Sequence, residues 1–187
     1  ILTHSAVDNN SSYKVDTTAP SVDNFTMSDT ELKIGDNATV TLVFSEAVCG
    51  ASSGCSLSQT GGTDFSSADI TSDNGSLNNT MSSSQANDNK TIWTGTFTPD
   101  NDTEDDNNTL SLATSYTDLA GNNGPDNETV NFDVDTKPPS IVYFDMSDLT
   151  LRRDNATGQS DNATVVLIFS EPVIGFNSNA DITIPNL

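Results

Sequence analysis

Alternation of apolar and polar residues is the clearest signal in this chain, and it predicts β-strands. The runs TIWTGTF (91–97) and ETVNFDV (128–134) alternate with a period of two and are rich in β-branched and aromatic residues. No segment carries a helical stripe, so we expect an all-β fold of short strands separated by Gly, Asn and Asp, arranged as a β-sandwich with Trp93 in its core. The predicted strands are 22–27, 38–45, 68–71, 91–98, 109–117 and 129–134.

A long internal repeat organises these strands. The stretch VDTTAPSV at 15–22 returns as VDTKPPSI at 134–141, 119 positions later (134 − 15 = 119), and DNATVTLVFSEAV at 36–48 returns as DNATVVLIFSEPV at 161–173. Such self-similarity marks a tandem array. We therefore expect closing strands of a preceding or neighbouring repeat at 1–16, a complete repeat at 17–135 and a partial repeat at 136–187. The Asp-Thr-x-x-Pro element would be the joint, stiffened by its proline.

The net charge of the chain limits the classes of partner that it can bind. The chain contains six Lys and Arg residues and 27 Asp and Glu residues, 22 of them Asp, which gives a formal charge of −21. Without a basic patch, nucleic-acid binding is excluded, and an anionic membrane surface would repel the chain. No apolar run reaches about 18 residues, so no transmembrane helix is predicted, and the absence of a signal peptide suggests a mature or excised portion. Divalent cations would neutralise such a charge effectively.

The two copies of the repeat differ by an insertion that contains both cysteines. The complete repeat has about 13 extra residues in this loop, CGASSGCSLSQTGGT (49–63). Two cysteines six positions apart, Cys49 and Cys55, suggest a local disulfide in an extracellular protein. Two free thiols are the alternative. A loop this short adds only about 2 kcal/mol in the chain-entropy model, so it would secure the insertion alone.

Residues for catalysis are scarce. His4 is the only histidine, which makes a catalytic triad or a histidine-based zinc site implausible, and no glycine-rich phosphate loop is present. Carboxylates are too abundant for any pair to indicate a glycosidase. We predict that the chain is not an enzyme.

Calcium is the chemistry that the acidic residues favour, because it takes six to eight oxygen ligands from flexible loops. In a sandwich with immunoglobulin strand order, Asp16, Glu46, Asp118 and Asn122 would converge at one pole. The opposite pole would hold Asp29 and Asp36 together with the acidic run that contains Asp100, Asp102, Glu104, Asp105 and Asp106. That run matches an EF-hand loop poorly. Solvated loop acids without a metal are the alternative at both poles.

Asn-x-Ser/Thr sequons are a second signal, since 12 of the 21 asparagines begin one. Composition alone would explain part of this excess, and surface glycans are the other explanation. The candidate glycosylation sites are Asn24, Asn37, Asn74, Asn78, Asn89, Asn101, Asn107, Asn127, Asn155 and Asn162, with two more at Asn9 and Asn10.

Four motifs in a fixed order carry a family resemblance: TDLAGN (117–122), Val-Asp-Thr-x-x-Pro, FSEPVIGF (169–176) and ADI (180–182). Together they resemble the bacterial Ig-like repeats of giant surface adhesins over nearly the whole chain. The resemblance implies extracellular Ig-like sandwiches in long arrays, on the cell surface or secreted, with calcium near the domain junctions that stiffens a rod. On matching positions it singles out Asp16, Asp135, Glu46, Glu171 and Asp118.

The incomplete ends suggest how copies would assemble. The segment 1–16 offers two closing strands, whereas 136–187 lacks them. We expect that 1–16 of one chain completes 136–187 of its neighbour, with Asp8 beside Asp135 and Glu171, which propagates a filament of like subunits. The alternative is a window from a longer adhesin, in which the partners are adjacent Ig-like repeats.

The sequence therefore favours a structural, non-catalytic Ig-like module of an extracellular filament or adhesin stalk, rigidified by calcium. An adhesin module that binds carbohydrate or a host surface through the Cys49–Thr63 insertion is the alternative. An accessory domain of a secreted polysaccharide-degrading enzyme is a third.

Overall fold

The computed structural model describes residues 15–50, 65–78, 81–83, 91–129, 131–152 and 157–183. The chain divides between Thr136 and Lys137 into two compact units, which we call unit 1 and unit 2. The described part of unit 1 is built from thirteen strands and one 3₁₀ turn (Ser67–Asp69). The strands are β1 Val22–Met27, β2 Glu31–Lys33, β3 Ala38–Phe44, β4 Val48–Cys49, β5 Ile70–Ser72, β6 Gly75–Leu77, β7 Ser82–Ser83, β8 Ile92–Pro99, β9 Glu104–Asn108, β10 Leu110–Leu112, β11 Thr117–Asp118, β12 Asn127–Glu128 and β13 Phe132–Asp135.

The larger sheet has the strand order β1-β3-β8-β6, with β7 also paired to β8. Strand β3 lies between β1 and β8 and is antiparallel to both. Its sequence, ATVTLVF, alternates so that Val40, Leu42 and Phe44 are buried. Strand β8 alternates in the same way and buries Trp93 and Phe97. The period-two pattern therefore predicted these strands and their core faces, and the prediction of Trp93 as a core residue is confirmed.

The other strands form smaller sheets with the orders β2-β13-β9, β12-β10-β5 and β11-β4. Their apolar residues join those of the larger sheet in one core, as an Ig-like sandwich requires. Phe97 of β8 meets Phe132 of β13 with ring centroids 5.3 Å apart, and Phe44 packs on Tyr116 at 5.1 Å. The all-β sandwich predicted from the sequence is confirmed.

Several predicted strand boundaries are wrong in detail. Residues 68–71 begin in the 3₁₀ turn, where Ser66 caps the turn and Asp69 completes a capping box, and β5 starts only at Ile70. The predicted strand 109–117 divides into β10 and β11. The acidic run around 100–106 was expected to be a loop, but it enters β9, which is antiparallel to β13.

A buried asparagine explains why so polar a segment forms a strand. Asn108 is fully buried, and its amide donates hydrogen bonds to the carbonyl oxygens of Asp105 (2.9 Å) and Phe132 (3.1 Å). Asn74 donates to Asn108 Oδ1 (2.7 Å) and Asp105 Oδ2 (2.8 Å). These bonds satisfy polar atoms inside the domain, so β9 is held by hydrogen bonding instead of apolar alternation.

Unit 2 repeats the start of unit 1. Strands β14 (Ile141–Met146) and β15 (Val165–Phe169) form an antiparallel pair, followed by the short helix α1 (Ser178–Asp181). Ile141 pairs with Phe169, as Val22 pairs with Phe44, and both pairs of strands have the same irregularity at their second position. The sequence repeat is therefore a structural repeat as far as these strands extend.

Candidate metal centre

Three carboxylates meet at one end of unit 1, each delivered by a different segment. Asp16 lies in the extended segment before β1, Glu46 follows β3 by two residues, and Asp118 is the last residue of β11. One carboxylate oxygen from each lies within 4.8 Å of the others. The structure thus brings together the three acids that the strand order was expected to place at one pole.

Asp118 is the fixed member of this group, which we call the carboxylate cluster (Asp16, Glu46 and Asp118). Its side chain is fully buried. Its Oδ1 accepts hydrogen bonds from the backbone N–H groups of Ala120 and Asn122, both at 2.8 Å. Burial raises the pKa of the Asp118 carboxyl, but the hydrogen bonds from Asn122, Ala120 and Gly121 outweigh it and hold this pKa below its usual value.

The pKa of Glu46 is shifted in the opposite direction from that of Asp118. Burial raises the pKa of its carboxyl, and the negative charges of Asp118 and Asp16 raise this pKa further. These like charges are unfavourable for the fold at neutral pH, because Asp118 and Asp16 oppose the ionisation of Glu46. A bound cation would reverse that balance.

Asn122 connects the loop after β11 to the segment before β1. Its side-chain amide donates to Asp118 Oδ2 (2.7 Å), to the carbonyl oxygen of Thr18 (3.1 Å) and to that of Asp16 (3.4 Å). Thr18 N–H also donates to Asp16 Oδ1 at 3.0 Å. The Asn122 amide nitrogen thus orients Asp118 and holds the backbone around Asp16. The predicted role of Asn122 as a metal ligand would fall to its amide oxygen and stays a prediction. The hydrogen bond from Asn122 to the Thr18 carbonyl oxygen could not be predicted from the sequence.

Residues 16–134 match the bacterial Ig-like domain family. The chain belongs to this family. No curated protein and no solved structure matches the chain. Bacterial Ig-like domains are typically non-catalytic and are often parts of extracellular surface proteins. In the described ranges of the chain, no helix is long and apolar enough to cross a membrane.

In this bacterial Ig-like domain, the carboxylate cluster offers the oxygen donors that hard cations prefer. Calcium binds carboxylates at about 2.3–2.6 Å, so oxygens within 4.8 Å of one another are close enough to share one ion. The residues therefore fit calcium. Asp16, Glu46 and Asp118 would hold it, and the ion would supply positive charge among three acids.

The other predicted ligands do not join this cluster. Among the residues that the structure describes, Asp16, Glu46 and Asp118 are the only group of three acids, histidines or cysteines close enough for a metal. Asp102 lies in a turn with a positive φ of 58°, and the carbonyl of Asp100 accepts a hydrogen bond from Thr136. Asp8 lies outside the described residues.

Two further predicted ligands, Asp135 and Glu171, correspond in sequence to Asp16 and Glu46. Asp135 ends β13 of unit 1 and is exposed, and Glu171 follows β15 of unit 2 by two residues, as Glu46 follows β3. At the opposite pole, Asp29 and Asp36 accept hydrogen bonds from the backbone N–H groups of Glu31 (2.9 Å) and Lys33 (3.0 Å). These bonds close turns, which is a local structural role.

The candidate glycosylation sites differ in accessibility. Asn24, Asn101, Asn107 and Asn162 are exposed, whereas the Asn74 amide is engaged in the hydrogen bonds to Asp105 and Asn108. Asn37 and Asn78 are exposed and accept bonds from Thr98 and Thr96, and Asn127 is half-buried. Asn9, Asn10, Asn89 and Asn155 lie outside the described residues.

The cysteine of the insertion that the structure describes is Cys49, at the end of β4. It is buried and disulfide-bonded. Its predicted partner, Cys55, lies outside the described residues, so the pairing of these two cysteines stays a prediction.

Proposed function

We propose that this chain is a structural, non-catalytic segment of an extracellular filament or adhesin stalk, in which calcium stiffens the start of each Ig-like repeat. The observation that carries the proposal is the carboxylate cluster. Its three acids come from the segment before β1, the end of β3 and the end of β11. An ion shared by these three would tie the leading segment of the repeat to the body of the sandwich.

Electrostatics supports the same role. The chain has a formal charge of −21, and Glu46 is already subject to repulsion from Asp118 and Asp16. Calcium at this point would remove the repulsion and replace it with attraction between three segments. The segment that contains Asp16 would then change from an extended linker into a fixed extension of the domain.

Isothermal titration calorimetry with CaCl₂ tests the metal site in the full chain. We expect saturable binding that Glu46→Gln weakens by about 10-fold or more, because the neutral amide is a weaker ligand for a hard cation. Glu128→Gln, at an exposed position on β12, is the matched control and should leave the affinity unchanged. Equal affinities for the wild-type protein and both variants would contradict the assignment.

We propose further that the units assemble head to tail by strand complementation. Residues 1–16 resemble the sequence that forms β10, β11 and β13, and the apolar residues of β10 and β13 belong to the core of unit 1. Segment 1–16 of one chain would supply the corresponding strands to unit 2 of the next. Electron microscopy should show filaments that a chain lacking residues 1–14 does not form, and monomers alone for the intact chain would contradict this assembly.

A further inference from the structure

Thr136 is the last residue of unit 1, and it is buried although the chain leaves the domain there. Its N–H group donates a hydrogen bond to the carbonyl oxygen of Thr103 (2.8 Å), and its Oγ1 accepts one from the Thr103 N–H group (3.1 Å). The same hydroxyl group donates to the carbonyl oxygen of Asp100 at 2.6 Å. These hydrogen bonds attach the exit of unit 1 to the turn between β8 and β9.

A second threonine of unit 1 makes the same pair of backbone bonds and provides an internal comparison. The Thr129 N–H group donates to the carbonyl oxygen of Leu110 (3.1 Å), and Thr129 Oγ1 accepts from the Leu110 N–H group (3.0 Å). Thr129 and Thr136 are 6% and 4% exposed. The two threonines are therefore matched in burial and in this bonding, but Thr129 lies between β12 and β13, whereas Thr136 lies at the exit.

The entry and the exit of unit 1 lie at opposite ends of β3. Strand β1 begins at Val22, which pairs with Phe44 at the end of β3 that precedes the carboxylate cluster. Ala38, at the other end of β3, pairs with β8, and the turn after β8 leads to Thr103 and its bonds with Thr136. Strand β13 runs towards this second end. Tension between the entry and the exit therefore acts along the axis of β13.

Strand pairing gives β13 resistance to tension in this direction. Strand β13 is parallel to β2 and antiparallel to β9. Because the hydrogen bonds between strands lie across the strand axis, tension along the axis stretches several of them together instead of breaking them one at a time. The strand itself is short (Phe132–Asp135), and Thr136 extends its attachment to the β9 side through Thr103. Thr136 is also the first residue of unit 1 to receive tension from the C-terminal side.

We propose that Thr136 is a force-bearing lock, whose hydroxyl group keeps the exit strand β13 attached to unit 1 when the chain is under tension. The lock needs no metal ion, because its partners are the backbone groups of Thr103 and Asp100. A hydroxyl group suits this role because it can donate one hydrogen bond and accept another at the same time. This inference rests on the proposed stalk function, and it places a second stiffening point at the end of the repeat remote from the carboxylate cluster.

The test is single-molecule force spectroscopy on the full chain, held by its two ends in the presence of chelator. Unfolding of unit 1 is identified by a gain in length of about 350 Å, as expected when roughly 110 residues become extended. Thr136→Val should lower the mean unfolding force by about one third or more, because a side chain of the same shape can neither donate nor accept. Thr136→Ser keeps the hydroxyl group and should unfold at a force within about 10% of the wild-type value.

Thr129→Val is the matched control, since it also removes the hydroxyl acceptor of one backbone N–H group. By calorimetry, both valine variants should lower the melting temperature of unit 1 by about 2–8 °C. The force should separate them, because forced unfolding depends on the bonds that break on the way to the transition state. Thr129→Val should therefore change the unfolding force by less than about 10%.

Three results would overturn the proposal. The force could stay unchanged in Thr136→Val, the two valine variants could lose force equally, or Thr136→Ser could be as weak as Thr136→Val, which would assign the effect to packing of the methyl group. Failure of the calcium proposal has a different signature, namely the same wild-type melting temperature in calcium and in chelator. The forces are measured in chelator, so they test the lock independently of the metal site.

Discussion

At the scale of single residues, Glu46 and Asp118 share one cluster but contribute to stability with opposite signs. The pKa of Glu46 is raised, chiefly by burial and then by the neighbouring acids, so its ionised form opposes folding. In chelator at pH 7, Glu46→Gln should therefore increase the melting temperature, by about 1–3 °C for a domain of this size. Differential scanning calorimetry with and without calcium measures the effect.

The same Glu46 variant should lose most of the stabilisation that calcium gives. The variant should thus be more stable than the wild-type protein without calcium and less stable with it, because the Glu46 carboxylate opposes folding until a cation binds. A Glu46→Gln protein that is destabilised equally in both conditions would show that Glu46 has a packing role and no relation to a metal.

Asp118 should behave differently because the fold depends on its acceptors even without an ion. Asp118→Asn places an amide where Oδ1 and Oδ2 accept three hydrogen bonds from Ala120 and Asn122. We expect a loss of about 2–3 kcal/mol in the free energy of unfolding in chelator, from the broken bonds and an unsatisfied buried donor. Urea unfolding measures this loss. A calcium-free Asp118→Asn protein as stable as the wild-type protein would contradict the hydrogen-bonding account.

The shifted pKa values of Glu46 and Asp118 also determine how the stability of the fold depends on pH. Glu46, with its pKa raised above 4.5, destabilises the calcium-free fold above that pKa, and this effect disappears as the pH falls through it. Asp118, with its pKa below 3.8, stabilises the fold until the pH falls below that lower value. The stabilisation by calcium should therefore begin to decrease at a pH above 4.5, because the raised pKa of Glu46 lets it take up a proton there. Melting temperatures with and without calcium from about pH 7 to about pH 4 give this difference, and a constant difference over that range would exclude Glu46 as a ligand.

At the scale of elements, β3 and β15 are nearly the same strand in two surroundings. Leu42 is fully buried in the core of unit 1, on a strand flanked by β1 and β8, whereas Leu167 is only partly covered. Leu42→Ala should lower the free energy of unfolding by about 2–5 kcal/mol, and Leu167→Ala should leave the unfolding of unit 1 unchanged. Urea unfolding followed by the fluorescence of Trp93, which reports on unit 1, distinguishes the two. Comparable losses for both variants would show that the two units unfold as one.

Strands β1, β3 and β8 could be predicted from the sequence because apolar alternation and burial coincide in them. Strand β9 (EDDNN) could not, since its backbone pairs with β13 and its anchoring residue is a buried asparagine. Strand β2 pairs in parallel with β13, a long-range contact that three residues cannot signal. Local pattern thus identifies strands that bury apolar side chains and misses those held by hydrogen bonds.

The carboxylate cluster was predictable for a related reason. Glu46 follows β3, Asp118 ends β11 and Asp16 precedes β1, so the strand order alone sets the three acids near one another. The role of Asn122 was not predictable, because the sequence does not show which of its amide atoms faces Asp118. Asp100 and Asp102 lie before β9, with Asp102 in a turn, and their role as ligands stays a prediction.

At the scale of the whole molecule, we propose that calcium converts a self-repelling acidic chain into a stable strut. General screening would also help a chain with a charge of −21, so monovalent salt is the necessary control. An ion in the carboxylate cluster should act at concentrations where sodium has no effect, and only while Asp16, Glu46 and Asp118 are all present.

The most direct test is the melting temperature of unit 1 in about 2 mM CaCl₂ compared with about 2 mM chelator, at neutral pH and equal ionic strength. Stabilisation follows from binding to the folded state alone and grows with the ratio of calcium concentration to the dissociation constant. We predict an increase of about 5 °C or more in the wild-type protein, and little change in Glu46→Gln. An identical melting temperature in calcium and in chelator would contradict the central claim.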